Sequence, residues 1–512
     1  MSRYKKYERY KDSGVEWIGQ VPNHWEVLKI KRLTRVKRGA SPRPIDDPIY
    51  FDDNGEFSWV RISDVTASKM YLNESTEKLS ALGASLSVKL IPGQLFISIC
   101  ATVGKPCITK IKCCIHDGFV YFPDFKDDNR FLYYIFEAGE AYKGLGKLGT
   151  QLNLNTDTVG SITIGLPPLN EQRAIANFLD QKTAEIDGLI ADKEKLIELI
   201  QEKRQAVITE AVTKGLNPNV RMKDSGIEWI GKMPEHWELN KLKYVIRNGK
   251  EGIKIGPFGS SLKLDDMDES NPYKVYGQEN IINNDFTRGN RFITQEKFNE
   301  MCGYQLFSGD IVISMMGTIG KCKVIPLGIQ PGIMDSHLIR LRTNNGVMLP
   351  KFLEYLIDNT NYVKEQMNYM SKGSIMSGLN SSIIKEIILV IPSVVEQKEI
   401  IDFLKQKTAE IDDLVTKIKI QIQKLKEYRQ SLISEAVTGK IDVRDYKDEG
   451  MSNLNLVKKV ERRVSRMKNE TIYLDRDMNQ RFEKEFEAAK KDWEKGKQEY
   501  EKQKRDNDKK QF

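Results

Sequence analysis

The side chains in this sequence with the clearest chemical potential are basic ones, clustered at matching places in the two halves of the chain. Residues 27–45 hold no acidic side chain, and residues 239–255 hold only Glu251. Clustered cations among Gly and Pro turns are typical of loops that follow nucleic-acid phosphates, where counterion release supplies affinity. A solvated basic surface is the simpler alternative. The candidate contact residues in and near these stretches are Lys37, Arg38, Arg43, Arg61, Lys250, Lys254 and Lys263.

A repeated Thr-Val/Ile-Gly-Lys loop is a second candidate, at Thr102–Lys105 in the first half and Thr318–Lys321 in the second. Each copy follows an apolar run that predicts a buried strand. A turn that needs glycine at positive φ explains the motif simply. Lys105 and Lys321 would in addition be placed to reach phosphates.

Loops rich in amides are better candidates for reading bases, because Gln and Asn present a donor and an acceptor together. One such loop holds Lys147, Thr150, Gln151 and Asn153. Its counterpart in the second half, together with a further site there, supplies Lys372, Ser374, Asn380, Gln278 and Asn280. The loops differ between the halves although the flanking sequences agree. Two similar domains with different loops would read two different half-sites.

The sequence shows no familiar catalytic or cofactor motif. It lacks a Gly-x-x-x-x-Gly-Lys-Ser/Thr phosphate loop, a Gly-x-Gly-x-x-Gly fingerprint after a strand, and the Asn/Asp-Pro-Pro-aromatic tetrad of aminomethyltransferases. His24 and His236 stand in a repeated corner, where a structural role is expected. A zinc site is also not expected, because the spacing of the neighbouring candidates fits no familiar module; these are Cys107, Cys113, Cys114 and His116.

The composition indicates a protein without a membrane span. No run approaches the roughly eighteen apolar residues that a span requires, and the first residues lead into no apolar signal segment. The cysteines form no Cys-x-x-Cys pair, so we expect a cytoplasmic protein with reduced thiols. The net charge of +8 is too small to identify a nucleic-acid binder by itself.

Two long amphipathic segments would position these loops. The phrase Phe178–Asp187 returns as Phe403–Asp412 with one substitution, Lys405 for Asp180. Around each phrase, seam positions recur at alternating steps of three and four residues, from 175 to 207 and from 400 to 432; most are apolar, as in a coiled coil. We therefore predict long helices at 169–214 and 394–440 that pack on each other.

The rest of the chain is a tandem repeat of mixed α/β domains. Lys11–Glu26 returns as Lys223–Glu238, and each copy continues with short predicted strands and one short helix, at Asn129–Glu137 and Pro350–Asp358. The predicted fold class is α+β, with domains at 1–168 and 215–393. A charged tail at 441–512 is predicted to be helical or partly disordered.

These features together resemble the specificity (S) subunits of type I restriction-modification systems. The resemblance rests on the repeated Trp-Ile-Gly and Pro-x-His-Trp motifs, the Thr-Val/Ile-Gly-Lys loops, and Glu-Gln at both helix starts. Glu-Ala-Val-Thr at both helix ends, Glu210–Thr213 and Glu435–Thr438, completes it. It covers about residues 11–445 and leaves the tail outside.

The resemblance implies a noncatalytic DNA-reading subunit with an internal pseudo-twofold repeat, whose two target recognition domains are separated by an antiparallel coiled coil. Each domain would read one part of a bipartite, asymmetric site in double-stranded DNA. Two modification subunits using S-adenosylmethionine would dock on the chain, and restriction subunits using ATP and Mg would join them; no cofactor is expected on this chain. The residues expected to seat the modification subunits are Glu171, Gln172, Gln181, Lys182, Glu396, Gln397, Gln406 and Lys407.

Two alternatives remain from the residues alone. A coiled-coil scaffold or assembly factor would use the same helices, and would bind DNA without sequence preference. A self-contained methyltransferase-nuclease is disfavoured by the missing motifs.

Overall fold

The computed structural model describes residues 4–142, 154–228, 230–258, 261–315, 320–372 and 380–446. The chain divides into two compact units, a large one of residues 9–440 and a small one of residues 1–8 and 441–512. In the small unit, Lys5 and Asp442 form an antiparallel β-bridge, and the Arg444 guanidinium lies 5.0 Å from the centre of the Tyr7 ring. The predicted tail lies outside the described residues from 447 onward.

The first half of the large unit is a mixed α/β domain. Its strands are β1 (Tyr10–Asp12), β2 (Gln20–Pro22), β3 (Glu26–Lys29), β4 (Lys37–Arg38), β5 (Phe57–Val60), β6 (Tyr71–Leu72), β7 (Glu77–Leu79), β8 (Val88–Leu90), β9 (Leu95–Ser98), β10 (Pro106–Thr109), β11 (Cys113–Ile115), β12 (Phe119–Tyr121) and β13 (Thr163–Leu166). Its helices are α1 (Ile30–Leu33), α2 (Ile62–Ala67), α3 (Ala81–Ser85), α4 (Asn129–Glu137) and α5 (Thr156–Ser161).

The two larger sheets of this domain have the strand orders β4-β12-β9-β10-β6 and β7-β5-β11-β8. All four residues of β9 are buried, because this apolar strand is central in its sheet. β13 pairs antiparallel with β3. This pairing brings the end of the domain back to its start, where the first long helix begins.

The second half repeats the design with shorter sheets. Its strands are β14 (Met222–Asp224), β15 (Lys232–Pro234), β16 (Glu238–Lys241), β17 (Ile253–Ile255), β18 (Tyr273–Tyr276), β19 (Phe292–Ile293), β20 (Ile311–Ser314), β21 (Cys322–Val324), β22 (Gly332–Met334), β23 (Leu338–Leu341) and β24 (Ile388–Ile391). The sheet orders are β17-β23-β20-β21 and β19-β18-β22, and β16 pairs with β24 as β3 does with β13.

Two long helices run through the large unit and pack on each other. The first is α6 (Leu169–Lys214); in the second half, α7 (Gln278–Asn283), α8 (Gln295–Glu300), α9 (Pro350–Asn359), α10 (Asn361–Lys372) and α11 (Ser381–Glu386) precede the second, α12 (Val394–Val437). The helices are antiparallel, since Lys193 reaches Gln421 at 2.7 Å whereas the later Arg204 reaches the earlier Asp412 at 3.3 Å. The α+β class with two packed long helices is confirmed.

The predicted seam of the helix pair is wrong at several positions. Leu189, Leu196 and Tyr428 were expected inside, yet their exposed fractions are 39%, 43% and 47%. In α6 the buried stripe shifts by one residue, to Thr183 and Ile190. A helix of 3.6 residues per turn drifts away from a strict 3.5-residue repeat. The shift follows from that drift, and the ends of both helices are buried by the domains as well.

Among the described residues, none of the helices combines the length and apolar character that crossing a bilayer would require.

Candidate nucleic-acid interface

The repeated Pro-x-His-Trp corner fastens each domain to the start of a long helix. The indole N–H of Trp25 donates to one carboxylate oxygen of Glu171 at 2.8 Å, and His24 Nε2 lies 2.8 Å from the other. In the second copy, the indole N–H of Trp237 donates to Glu396 Oε2 at 3.0 Å, and His236 Nε2 lies 3.1 Å from the same oxygen. Both tryptophans are fully buried. Each histidine contacts the same glutamate as its tryptophan, which supports the structural role expected for the histidines.

The glutamine after each of these glutamates also forms its hydrogen bonds within the chain. Gln172 Nε2 donates to the Pro167 carbonyl at 2.9 Å, and its Oε1 accepts from the backbone N–H of Asp128 at 3.2 Å. Gln397 repeats both contacts in its own domain. The predicted docking residues at the start of each long helix therefore bind within the chain and are not available to a partner. These residues are Glu171, Gln172, Glu396 and Gln397.

The other predicted docking residues lie along the long helices, where Gln406 is exposed and Gln181, Lys182 and Lys407 are half-buried. Gln181 Nε2 donates to Glu185 at 3.1 Å, and Lys182 Nζ reaches the same carboxylate at 2.7 Å. The equivalent trio in α12 has the same contacts at 3.0 and 3.2 Å, in Gln406, Lys407 and Glu410. The helix pair therefore carries one polar pattern twice.

Each domain also contacts the long helix of the other repeat. At the end of α4, the backbone carbonyl of Glu137 accepts from Gln430 Nε2 of α12 at 3.3 Å. At the end of α9, the carbonyl of Asn359 accepts from Thr209 Oγ1 of α6 at 3.1 Å, and also from Gln205 Nε2. Gln205 and Gln430 hold equivalent positions in the two helices. Both domains are thus fixed on both helices.

Three predicted cations of the first domain gather around the turn between β11 and β12, residues 116–118. Arg38 Nε donates to the backbone carbonyl of Asp117 at 2.5 Å, and Arg43 Nη2 donates to its carboxylate at 2.8 Å. Burial lowers the pKa of His116; Asp117 opposes this shift, and the nearby charge of Arg61 adds to it. The turn therefore presents a neutral imidazole among arginines.

Two predicted lysines of the first domain lie on other elements. Lys37 is exposed on β4, opposite Tyr121 of β12. Lys105 follows Gly104, whose φ of +85° confirms that the loop needs glycine. Lys105 Nζ reaches the Thr66 carbonyl at 3.4 Å, a contact long enough to be weak.

In the second domain the predicted cations are spread more widely. Lys250 and Lys263 are exposed. Lys254, on β17, holds its ammonium 4.4 Å from the centre of the Tyr304 ring, a cation–π contact. Gln278 Nε2 approaches the His337 carbonyl at 3.5 Å. That carbonyl belongs to the turn 335–337 between β22 and β23, the counterpart of turn 116–118.

Asn280 is not available for base reading, contrary to the prediction. It is fully buried, and its amide nitrogen donates to the carbonyls of Asp285 and Arg288 at 2.9 and 2.8 Å. Its oxygen accepts from the backbone N–H of Gly277 at 2.9 Å. An amide whose donors and acceptor are satisfied in the interior stabilises the local fold.

Lys321 is also placed differently from its prediction. Its ammonium lies 2.9 Å from Asp358, which Lys323 approaches at 2.8 Å. Burial would lower the pKa of Lys323, but the charges of Glu354 and Asp358 raise it above its usual value. Lys321 therefore belongs to an ion-pair network that ties its loop to α9, and the two Gly-Lys loops are not equivalent.

The amide-rich loops fall mostly outside the described residues, which leaves open the predictions for Lys147, Thr150, Gln151, Asn153 and Ser374. Lys372 ends helix α10. Asn380, at the far end of the second loop, accepts the backbone N–H of Ile383 at 2.9 Å. It is thus the N-cap of α11, a structural role.

The cysteines that were considered as zinc ligands lie in the hydrophobic core instead. Cys107, Cys113 and Cys114 are buried in β10 and β11, and burial raises the pKa of the Cys113 thiol to about 11. His116 Nδ1 accepts from the backbone N–H of Gly118 at 2.9 Å. Within the described residues, no three or more His, Cys, Asp or Glu side chains are grouped to hold a metal.

Sequence reasoning missed the carboxylates of the two equivalent turns. Asp117 accepts from Arg43, and Asp335 accepts from Arg291 Nη1 at 3.2 Å. One signal was available in the sequence, since a glycine lies within the first basic stretch and another directly follows the second. A Cβ added there would come within 2.1 and 1.8 Å of a carbonyl oxygen of these turns, at Gly39 and Gly256.

Comparison with protein families gives one match that covers both halves. The family described as Type I restriction modification DNA specificity domain matches residues 22–199 and 253–424.

Known proteins are similar to this chain over most of its length. The type I restriction enzyme MjaVIII specificity subunit of Methanocaldococcus jannaschii is 24% identical, over 83% of this chain and 95% of the relative. The EcoKI specificity subunit of Escherichia coli K12 is 22% identical, over 83% and 90%. A solved structure described as the structural basis of complex assembly and conformational transition of the type I R-M system has a TM-score of 0.61 at 15% identity, over 81% of this chain and 98% of that one.

Proposed function

This chain belongs to the family of type I restriction-modification DNA specificity subunits, and we propose that its two domains read the two parts of a bipartite, asymmetric DNA site. As a member of this family it is a noncatalytic subunit, which gives a type I restriction-modification system its sequence specificity. The alternative of a scaffold without sequence reading is thereby set aside. The two domains share one design but differ in their loops, which supports the reading of two different half-sites.

The observation that carries the proposal is the symmetric attachment of both domains to both helices. Trp25 contacts the start of α6 through Glu171, and a Cβ added to Gly439, just after α12, would lie 3.1 Å from its ring. Trp237 has the same position between the start of α12 and Gly215, just after α6. At 1.5 Å per residue, α6 holds these two corners about 70 Å apart. The separation of the half-sites would then follow from helix length.

Two modification subunits are proposed to dock on the polar patterns of the long helices. Two copies of one partner require two copies of one surface, and the Gln-Lys pairs at 181–182 and 406–407 provide them. Restriction subunits complete the proposed complex. S-adenosylmethionine, ATP and Mg are expected on those partners.

Methylation of a randomised DNA library by the chain with its modification subunit tests the proposal. We expect adenine methylation only where two short tracts stand at a fixed separation. Gln151→Ala should relax one tract, by on the order of 1–3 kcal/mol if its contact is bidentate. Lys37→Ala should weaken all sequences alike, as loss of a phosphate contact does. Methylation without sequence preference in the wild type would contradict the proposal.

A further inference from the structure

We propose that Arg43 reads a base in the half-site of the first domain, and that Asp117 positions it for this task. The inference rests on the proposed reading of one half-site by this domain. It separates Arg43 from Lys37 of the same stretch, whose exposed ammonium suits a phosphate.

Arg43 is fixed at two points and still open to solvent. Its Nη2 donates to Asp117 Oδ2 at 2.8 Å, and its backbone carbonyl accepts from the Tyr50 hydroxyl at 3.0 Å. Ser41 Oγ donates to the other carboxylate oxygen at 3.0 Å. Yet the Arg43 side chain is 71% exposed. Such an arginine loses little conformational freedom when it binds, which is the advantage of preorganisation.

The carboxylate stays ionised, so the pair keeps its geometry. Burial would raise the pKa of Asp117, but the hydrogen bond from Ser41 and the charge of Arg43 lower it below its usual value. Among the described residues, Asp117 is the hydrogen-bond partner found for the Arg43 guanidinium. The remaining N–H groups form a planar fork, which matches the N7 and O6 acceptors of guanine.

The neighbouring carboxylate favours a base over a phosphate as the target. A phosphate is bound mainly through net positive charge, and counterion release scales with that charge. Asp117 largely cancels the charge of Arg43 at short range, which weakens attraction to a phosphate. What the carboxylate provides is orientation, and orientation matters for reading a base edge.

The second domain uses the same device with a different arginine. Asp335, in the equivalent turn, accepts from Arg291 Nη1 at 3.2 Å and from the backbone N–H of His337 at 2.9 Å. Arg291 lies just before β19, far from the basic stretch 239–255, and it is bound by Glu279 as well. Equivalent turns therefore hold arginines from different elements. Such a difference suits two half-sites of different sequence.

A matched control exists in the same basic stretch. Arg35 is paired with Asp124, Nε to Oδ2, at 2.5 Å, and this arginine is 68% exposed. Asp124→Asn removes the same charge as Asp117→Asn, without touching the turn 116–118. Any general electrostatic effect on DNA binding should therefore be equal in the two variants.

The experiment is methylation of a randomised library by the complete complex with its modification subunits. Asp117→Asn and Arg43→Lys should each lose a guanine preference at one position of one tract, by roughly tenfold. Asp124→Asn should keep every preference, and the second tract should stay unchanged in all variants, which verifies that the complex is assembled. Intact preferences in both Asp117→Asn and Arg43→Lys would overturn the inference. Absence of two-tract specificity in the wild type would instead reject the proposed function.

Discussion

Arg429 of the second long helix lies 2.9 Å from Asp187 of the first, measured from Nε to Oδ1. The repeat places an equivalent ion pair elsewhere along the helices, where Arg204 Nε lies 3.3 Å from Asp412. Neither Nε–H has a hydrogen-bond acceptor among the described residues, so both contacts are attractions between charges. Arg429 also lies 3.2 Å from Glu137 of α4. It therefore joins both long helices to the first domain.

Replacing Arg429 by methionine should destabilise the attachment of the first domain. The change leaves the carboxylates of Asp187 and Glu137 close together without their cation. Loss of one partner from a buried ion pair costs about 3–5 kcal/mol, and these groups are partly exposed, so we expect about 2 kcal/mol. Urea unfolding measures the loss. Within the described part of the chain Arg204 has one carboxylate partner, so Arg204→Met should cost less. Equal losses would contradict this order.

The two Trp corners should differ in their sensitivity to loss of the glutamate. The Glu171 side chain is 3% exposed, whereas Glu396 is 23% exposed. Glu171→Ala removes a hydrogen-bond acceptor of the buried Trp25 indole N–H, a loss that costs about 1–3 kcal/mol. At the second corner water can replace part of the lost contact. Unfolding midpoints of the two variants test this order, and a larger loss for Glu396→Ala would reverse it.

The two Gly-Lys loops should separate DNA binding from stability. Lys105→Met should weaken binding to all sequences and reduce its salt dependence, because a phosphate contact is lost. Lys321→Met should lower the free energy of unfolding by about 1 kcal/mol, since Asp358 loses one of its cations but keeps Lys323. Fluorescence anisotropy at several salt concentrations and urea unfolding measure the two effects. Equal salt slopes for both variants would refute the distinction.

The fold was largely predictable because the sequence patterns that indicate its helices and strands are local and occur in both repeats. The helix Asn129–Glu137 is found as predicted, and Pro350–Asp358 extends by one residue. The predicted seam failed at Leu189 and Leu196, because a strict 3.5-residue repeat drifts away from the buried stripe of a helix with 3.6 residues per turn. A sequence pattern predicts that two amphipathic helices pack on each other, but it does not predict the register in which they pack.

The candidate site was less predictable because it depends on contacts between distant residues. Nothing near Lys321 in the sequence indicates Asp358, its partner on α9. Asn280 has an amide side chain of the kind that reads bases, yet it is buried and therefore has a structural role. Asp117 carries no motif, and its importance emerges only when the fold brings it beside Arg43.

Charge reversal on the long helices should remove one modification subunit at a time. Lys182→Glu and Lys407→Glu each disrupt one copy of the polar pattern, so each variant should bind one modification subunit where two are expected on the wild type. Native mass spectrometry of the assembled complex counts them. The control is Lys195→Glu, because Lys195 has a similar i,i+3 ion pair, with Glu198 at 2.5 Å. Lys195 is not part of the repeated pattern, since the equivalent residue of α12 is Ile420. Full occupancy in both test variants would reject this docking surface.

Shortening the helix pair should change the spacer between the two tracts. Because each domain corner holds the start of one helix and the end of the other, a heptad must be deleted from both helices, at Asp192–Glu198 and at Lys417–Gln423. Removing a heptad shortens a helix by about 10 Å, which corresponds to about three base pairs of DNA. Methylation sequencing should show the preferred spacer shortened by about that amount. Deletion from α6 alone should prevent assembly, since α12 would then be too long for its attachments. An unchanged spacer after the paired deletion would show that the helices do not set the distance.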